Sequence, residues 1–169
     1  MSAIFDRRSV RSFLPKAVEQ YKLERILRAG FQAPSAHNRQ PWEFIVISDA
    51  ADLAAIAEMS PYAEMLQQAA AAIAPCVNLG QGNGIRQDTW WVQDLSAATE
   101  NMLLQIVDEG LGAVWLGWYP DMVRVKAFSE HFGLPSHVLP FSVIALGYPA
   151  NPPQKEDRYE PAKVHYGRY

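Results

Sequence analysis

Two prolines, Pro34 and Pro41, bracket the run APSAHNRQPWEF at Ala33 to Phe44 and constrain the chain more tightly than any other stretch. Each fixes its own φ and biases the preceding residue away from the helical region, so a helix has to end near Ala33 and a strand begin near Trp42. The loop between them is expected to be rigid. It carries Ser35, His37, Asn38, Arg39 and Gln40: a hydroxyl, an imidazole, a cation and two amides within six residues. Amides donate and accept at once, which suits the mixed edge of a nucleobase or flavin, whereas Ser and Arg suit hydroxyl chains and phosphate. The same composition also serves an ordinary helix-to-strand connection rich in turn formers.

Upstream, FDRRSVRSF at residues 5 to 13 places three arginines and two serines between two phenylalanines. In an extended segment side chains alternate, putting Arg7, Ser9 and Arg11 on one face and Arg8, Val10 and Ser12 on the other. Two guanidinium forks with a hydroxyl between them suit a dianionic phosphate. Phe5 and Phe13 would anchor the segment to a core. Without such anchors it would be a solvated arm.

Helical spacing of apolar residues predicts helices over 17 to 33, 50 to 59, 62 to 71, 93 to 109 and 121 to 133, with Ser60-Pro61 separating two of them and Gly110 ending a third. Apolar and β-branched runs predict strands over 42 to 48, 72 to 79, 112 to 120 and 138 to 148. Alternating elements of this kind describe an α/β or α+β sheet of about four strands covered by helices. Within the third strand, Gly117 would let another group approach the backbone. The run GQGNGIRQDTWW at Gly80 to Trp91 lacks the lysine of a phosphate loop and reads as a mobile lid, with Trp90 and Trp91 serving either a ligand, the core or a subunit interface.

At 169 residues, half of them hydrophobic, the chain suits one domain spanning 1–169. A net charge of −3 and a pI near 5.8 give no general basis for binding nucleic acid or an anionic membrane, so any anion site has to be local. No apolar run approaches the roughly 18 residues that span a bilayer, and a cytoplasmic protein is expected. The single cysteine, Cys76, lies in an apolar run and reads as a buried thiol. His37, His131, His137 and His165 lack metal-ligand spacing. Residues 150–169 combine three prolines and many charges with Tyr159, Val164, Tyr166 and Tyr169, a pattern that suits an arm packed on a second subunit better than a solvated tail.

With RRSVRSF near the start, APSAHNRQPWEF after the first helix, GLGAVWLGW after a long apolar helix and LGYP before a basic C-terminal arm, the chain resembles the nitroreductase family of FMN-dependent oxidoreductases. That resemblance implies an α+β fold, a central mixed β-sheet flanked by helices, and an intertwined homodimer with exchanged C-terminal arms. It further implies FMN at the subunit interface. By the same resemblance Arg7, Arg8, Ser9 and Arg11, with Val10 in the same run, would grip the phosphate and ribityl chain. Pro34, Ser35, Asn38 and Gln40 would lie along the ribityl chain and ring from the other subunit. Trp115, Leu116 and Gly117 would present backbone to the ring, and Arg158, or else Lys155, would close the phosphate site.

The chemistry implied is two half-reactions at one site, in which NADH or NADPH reduces the flavin and a small acceptor, such as a nitroaromatic or a quinone, then takes the electrons. The flavin carries that chemistry, and neither a side-chain nucleophile nor a metal is required. The resemblance to the family's dehalogenase branch would imply a Glu, Tyr and Lys grip on an amino-acid zwitterion, and since residues 60 to 94 contain no lysine a halotyrosine acceptor is disfavoured. The alternative reading is a module that stores or senses FMN without turnover.

Overall fold

The computed structural model describes residues 3–81, 88–151, 154 and 156–169. Among the described residues the α-helices are, in chain order, α1 (Ala3–Asp6), α2 (Gln20–Phe31), α3 (Ala50–Glu58), α4 (Trp90–Asp108) and α5 (Met122–Phe132). Five strands accompany them: β1 (Trp42–Ile47), β2 (Ala71–Asn78), β3 (Gly112–Gly117), β4 (Val138–Pro140) and β5 (Ser142–Gly147). The strands form one sheet in the order β1-β2-β5-β3, with β4 also paired to β2. Every pairing between these strands is antiparallel, and a parallel bridge from Ser9 to Ala113 makes the sheet mixed. No described helix is long and apolar enough to cross a membrane.

Alternation along the strands divides the core in two. Ala72, Ala74, Cys76, Val114, Leu116, Val143 and Ala145 face one way, onto Leu53 and Ile56 of α3 and Val125 and Phe128 of α5. Ala71, Ile73, Ala113, Ile144 and Leu146 face the other, onto Leu23 and Ile26 of α2 and Met102, Leu103 and Ile106 of α4. Period-two placement on strands and 3.6-residue placement on helices produce both layers from the same sequence. Cys76 lies fully buried, and burial pushes its thiol up to about 12.

The single strand expected over 138 to 148 is broken at Phe141. Ile73 and Cys76 of β2 oppose Ile144 and Pro140, so the returning strand carries one residue more than its partner, a bulge. Pro75 lies within this stretch of β2 and has no N–H to donate, while its carbonyl accepts the Phe141 N–H at 2.8 Å. Displaced from the ladder, the Phe141 carbonyl receives the N–H groups of Trp118 and Tyr119, just beyond β3. The four strands anticipated therefore become five. The helix expected over 62 to 71 is a 3-10 turn at Glu64–Gln68. Half of the lid expected at 80 to 91, residues 82–87, lies outside the described residues. Of its tryptophans, Trp91 is buried against Tyr119 and Phe141, and Trp90 is exposed.

Gly110, at φ 73°, ends α4 as expected, and Gly112 opens β3 under unusually close cover. A Cβ on Gly112 would stand 2.7 Å from Cγ2 of Val10 and 2.9 Å from Cγ of Pro149. Hydrogen's small size thus lets two segments cross the same strand: the arginine-rich segment, where the Val10 N–H donates to the Ala113 carbonyl at 2.8 Å, and the LGYP segment. Those two segments also pair with each other through Leu14 N–H to Tyr148 O and Ala150 N–H to Ser12 O. Tyr148 pins the second segment to the start of α2 by donating to Glu19 at 2.7 Å. Val10 and Phe13 anchor the arginine-rich segment. Phe5 does not, being 75% exposed on the short helix α1.

Replacing Gly112 with Ala forces Val10 or Pro149 to move, and overpacking of this kind typically costs about 1–3 kcal/mol. Urea unfolding of Gly112→Ala should show that loss with an unchanged m-value, whereas the same substitution at Gly117, where a Cβ meets nothing within 4 Å, should cost far less.

Candidate functional site

The loop between Pro34 and Pro41 holds three non-glycine residues in the left-handed region: His37 at φ 55°, Asn38 at φ 55° and Gln40 at φ 49°. Each such residue costs about 1–3 kcal/mol, less for Asn, and persists only where surrounding contacts over-determine it. Those contacts are present. Ser35 Oγ accepts the Gln40 N–H at 3.0 Å, Gln40 Nε2 donates to Asn38 Oδ1 at 2.9 Å, and the Ala36 N–H donates to Asp94 Oδ1 at 2.9 Å. Arg39 pairs with Asp88 at 2.7 Å. The first turns of α4 and the residues before it therefore hold the loop from behind, and Ser35, Asn38 and Gln40 interlock in front.

Asp88 and Asp94 share this duty under different electrostatics. The hydrogen bond from Arg39 holds the Asp88 carboxyl below its ordinary range, whereas burial raises that of Asp94, with the nearby Asp88 charge adding to the effect. Neither acid is distinguished by a motif. Asp94 lies on the apolar face of α4, and that position is the only sequence signal that could have marked it.

Arg7, Arg8 and Arg158 line one cavity of about 520 Å³, together with Ile4, Phe5, Glu156, Asp157 and Tyr159. Arg7 is held at 3.2 Å from Glu100 of α4. Arg8 donates to the carbonyls of Arg7 and Glu156, while its buried Nε has no hydrogen-bond partner among the described residues. Arg7 and Arg8 thus share one cavity, so the strict alternation of an extended strand does not hold at these two positions. Arg158 bonds Glu156 at 3.1 Å. Its rival Lys155 lies outside the described residues.

Beyond the bridge at Ser9 and Ala113, β3 is the sheet's edge, and Trp115, Leu116 and Gly117 line a second cavity of about 340 Å³. Arg11 belongs here rather than with Arg7 and Arg8. Among the described residues it makes no ion pair or side-chain hydrogen bond. Tyr62, Glu64 and Arg124, which the sequence did not single out, complete the polar wall. The loop residues Pro34, Ser35, Asn38 and Gln40 line neither cavity. One chain thus presents a cationic cradle, an open strand edge and a stiff polar loop as three separate surfaces. The cradle suits phosphate, and the edge and loop suit a planar polar ring.

The nitroreductase family model matches residues 4–62 and 58–148. An Archaeoglobus fulgidus protein provisionally named NADH dehydrogenase/NAD(P)H nitroreductase is 40% identical over 168 residues, covering 98% of this chain and 95% of its own length. Among solved structures, a Clostridium acetobutylicum protein provisionally named NADH oxidase superposes with a TM-score of 0.93 at 41% identity, covering 99% of this chain and all of the other. A Desulfovibrio desulfuricans protein provisionally named a nitroreductase, solved in complex with FMN, superposes with a TM-score of 0.85 at 28% identity over 99% of this chain and 95% of its own. This chain belongs to the nitroreductase family.

Removing the Asp94 carboxyl as Asp94→Ala strands the Ala36 N–H and should cost about 1–3 kcal/mol in thermal or urea unfolding, whereas Asp94→Asn keeps an acceptor and should cost little. The raised folded-state value also fixes a sign. Asp94 contributes most below its ordinary 3.8, and that contribution is lost as pH rises through the higher folded value, so the wild type should lose stability relative to Asp94→Asn over that interval.

Proposed function

We propose that this chain is an FMN-dependent oxidoreductase that takes electrons from NADH or NADPH and delivers them to small acceptors such as nitroaromatics or quinones, working as a homodimer. The observation that carries this reading is the pairing of an arginine cradle with an unpaired strand edge on either side of one bridge, Ser9 to Ala113. A phosphate-bearing ring cofactor fits the residues present. The buried, unpartnered Nε of Arg8 needs an acceptor, and the space beside Gly117 is open where a side chain would otherwise project.

Arg7, Arg8 and Ser9, with Arg158 opposite, would hold the phosphate and ribityl chain, Arg7 being kept in place by Glu100. Val10 fixes the segment through its N–H to Ala113 and its buried side chain. Trp115, Leu116 and Gly117 would flank the ring, and Arg11 would set positive charge beside it. FMN, when bound, supplies two-electron transfer, and the chain's part is to bind it, orient it and leave one face accessible. Pro34, Ser35, Asn38 and Gln40 lie away from both cavities, which supports their serving the site of a second copy. Exposure of Tyr159, Val164, Tyr166 and Tyr169 supports the same arrangement, because an arm laid on a partner would bury them.

Purified protein should take up FMN and lose the visible flavin band when NADH or NADPH is added without oxygen, then recover it on addition of a nitroaromatic or quinone. A yellow protein bleached by neither nucleotide would favour an FMN store or sensor, and one that takes up no FMN would refute the assignment. In the same assay Arg7→Ala should bind FMN roughly 10- to 100-fold more weakly, the loss of one charge-assisted hydrogen-bonding group.

A further inference from the structure

Arg124 has no place in the roles assigned so far, yet it is the most rigidly mounted cation beside the open edge of β3. Asp121, the residue that caps α5, divides its carboxylate between two tasks. Oδ1 accepts the Val123 and Arg124 N–H groups at 3.1 and 3.3 Å, and Oδ2 receives Arg124 Nε at 3.1 Å. The guanidinium carbon lies 5.6 Å from the centroid of the Tyr62 ring, so the group is braced on a second side. On a third, the Arg124 carbonyl accepts Trp118 Nε1 at 3.0 Å, tying this first turn of α5 to the residue that follows Gly117. With Nε committed, the two terminal nitrogens of Arg124 have no protein acceptor among the described residues, and the side chain lines the cavity shared with Arg11 and Trp115 to Gly117.

We infer that Arg124 is a fixed cation of the ring site and that, with the untethered Arg11, it makes the chain hold two-electron-reduced FMN more tightly relative to oxidised FMN. The inference rests on the function proposed above. Its physical basis is that reduction adds negative charge to the flavin ring near neutral pH, and a cation already held in place stabilises that charge without reorganising. Arg11 is more exposed and untethered, so it contributes charge without fixed geometry. Asp121, held against Arg124 Nε, does not line the cavity, so the charged groups that do line it are Arg11 and Arg124 against the one carboxylate of Glu64. This makes Arg124 a tuning residue, itself positioned by Asp121, whose effect is read in the cofactor's affinity rather than in turnover alone.

The test is the ratio of the dissociation constants for oxidised and reduced FMN, measured anaerobically by flavin fluorescence and by equilibration with redox dyes. In Arg124→Met the preference for reduced FMN should fall about tenfold, equivalent to a midpoint potential lower by about 30 mV for a two-electron couple. Arg124→Lys, which keeps the charge, should lose less than threefold. Asp121→Asn retains an acceptor for the helix cap but removes the neighbouring negative charge, and should shift the ratio about threefold in the opposite direction. The inference is overturned if Arg124→Met leaves the ratio within twofold, or if Arg124→Met and Asp121→Asn shift it in the same direction. Wild-type protein that takes up no FMN would overturn the functional assignment itself. FMN uptake by the wild type with an unshifted Arg124→Met ratio would overturn this inference alone.

Discussion

One backbone hydrogen bond, from the Val10 N–H to the Ala113 carbonyl, organises everything the two cavities share. It lays the arginine-rich segment against the first half of β3 and leaves the second half, Trp115 to Gly117, as an unpaired edge. Because the bond falls in the middle of the segment, the arginines on its two sides diverge. Arg7 and Arg8 go to the cavity shared with Arg158, and Arg11 goes to the open edge. The arginine-lined cavity and the open strand edge are thereby set at a spacing fixed by the chain. The bond in turn depends on Gly112, since any larger residue would press on Val10.

The polar loop is organised differently. Its geometry is unfavourable by itself, with three left-handed residues in four, and it is maintained from outside by α4. Asp94 reaches Ala36 from the second turn of that helix, and Asp88 reaches Arg39 from just before the first. A carboxylate kept in a buried position is costly, so its retention at Asp94 signals that the loop's shape matters more than the local burial energy. The same long helix carries Glu100, which steadies Arg7. One helix thus supports two of the three surfaces.

Much of this was legible in the sequence, and for stated reasons. Strand and helix periodicities located the layers, the prolines located the loop, and Gly110 located the end of α4. The departures have equally local causes. Pro75 and the bulge at Phe141 split a continuous apolar run into β4 and β5, since missing donors are invisible to hydrophobic patterning. Phe5 looked like an anchor because aromatics usually bury, but the short helix α1 turns it outward, and Val10 takes that duty. Strand alternation puts Arg11 on the face of Arg7, whereas the structure places the two in different cavities on either side of the bridge at Ser9. Tyr62, Asp94 and Arg124 carry no motif at all. They reach the site by tertiary contact, which a single sequence does not encode in any short window.

The pairing of Phe13 with Pro149, flanked by Leu14 to Tyr148 and Ala150 to Ser12, joins positions near the two ends of the chain. Bringing together positions this far apart in the chain carries a loop-closure cost that the local helix and strand contacts do not. The Ala150 N–H is thus committed to the N-terminal segment, so the course of the chain at Ala150 depends on a contact made across nearly its whole length rather than on β5 alone.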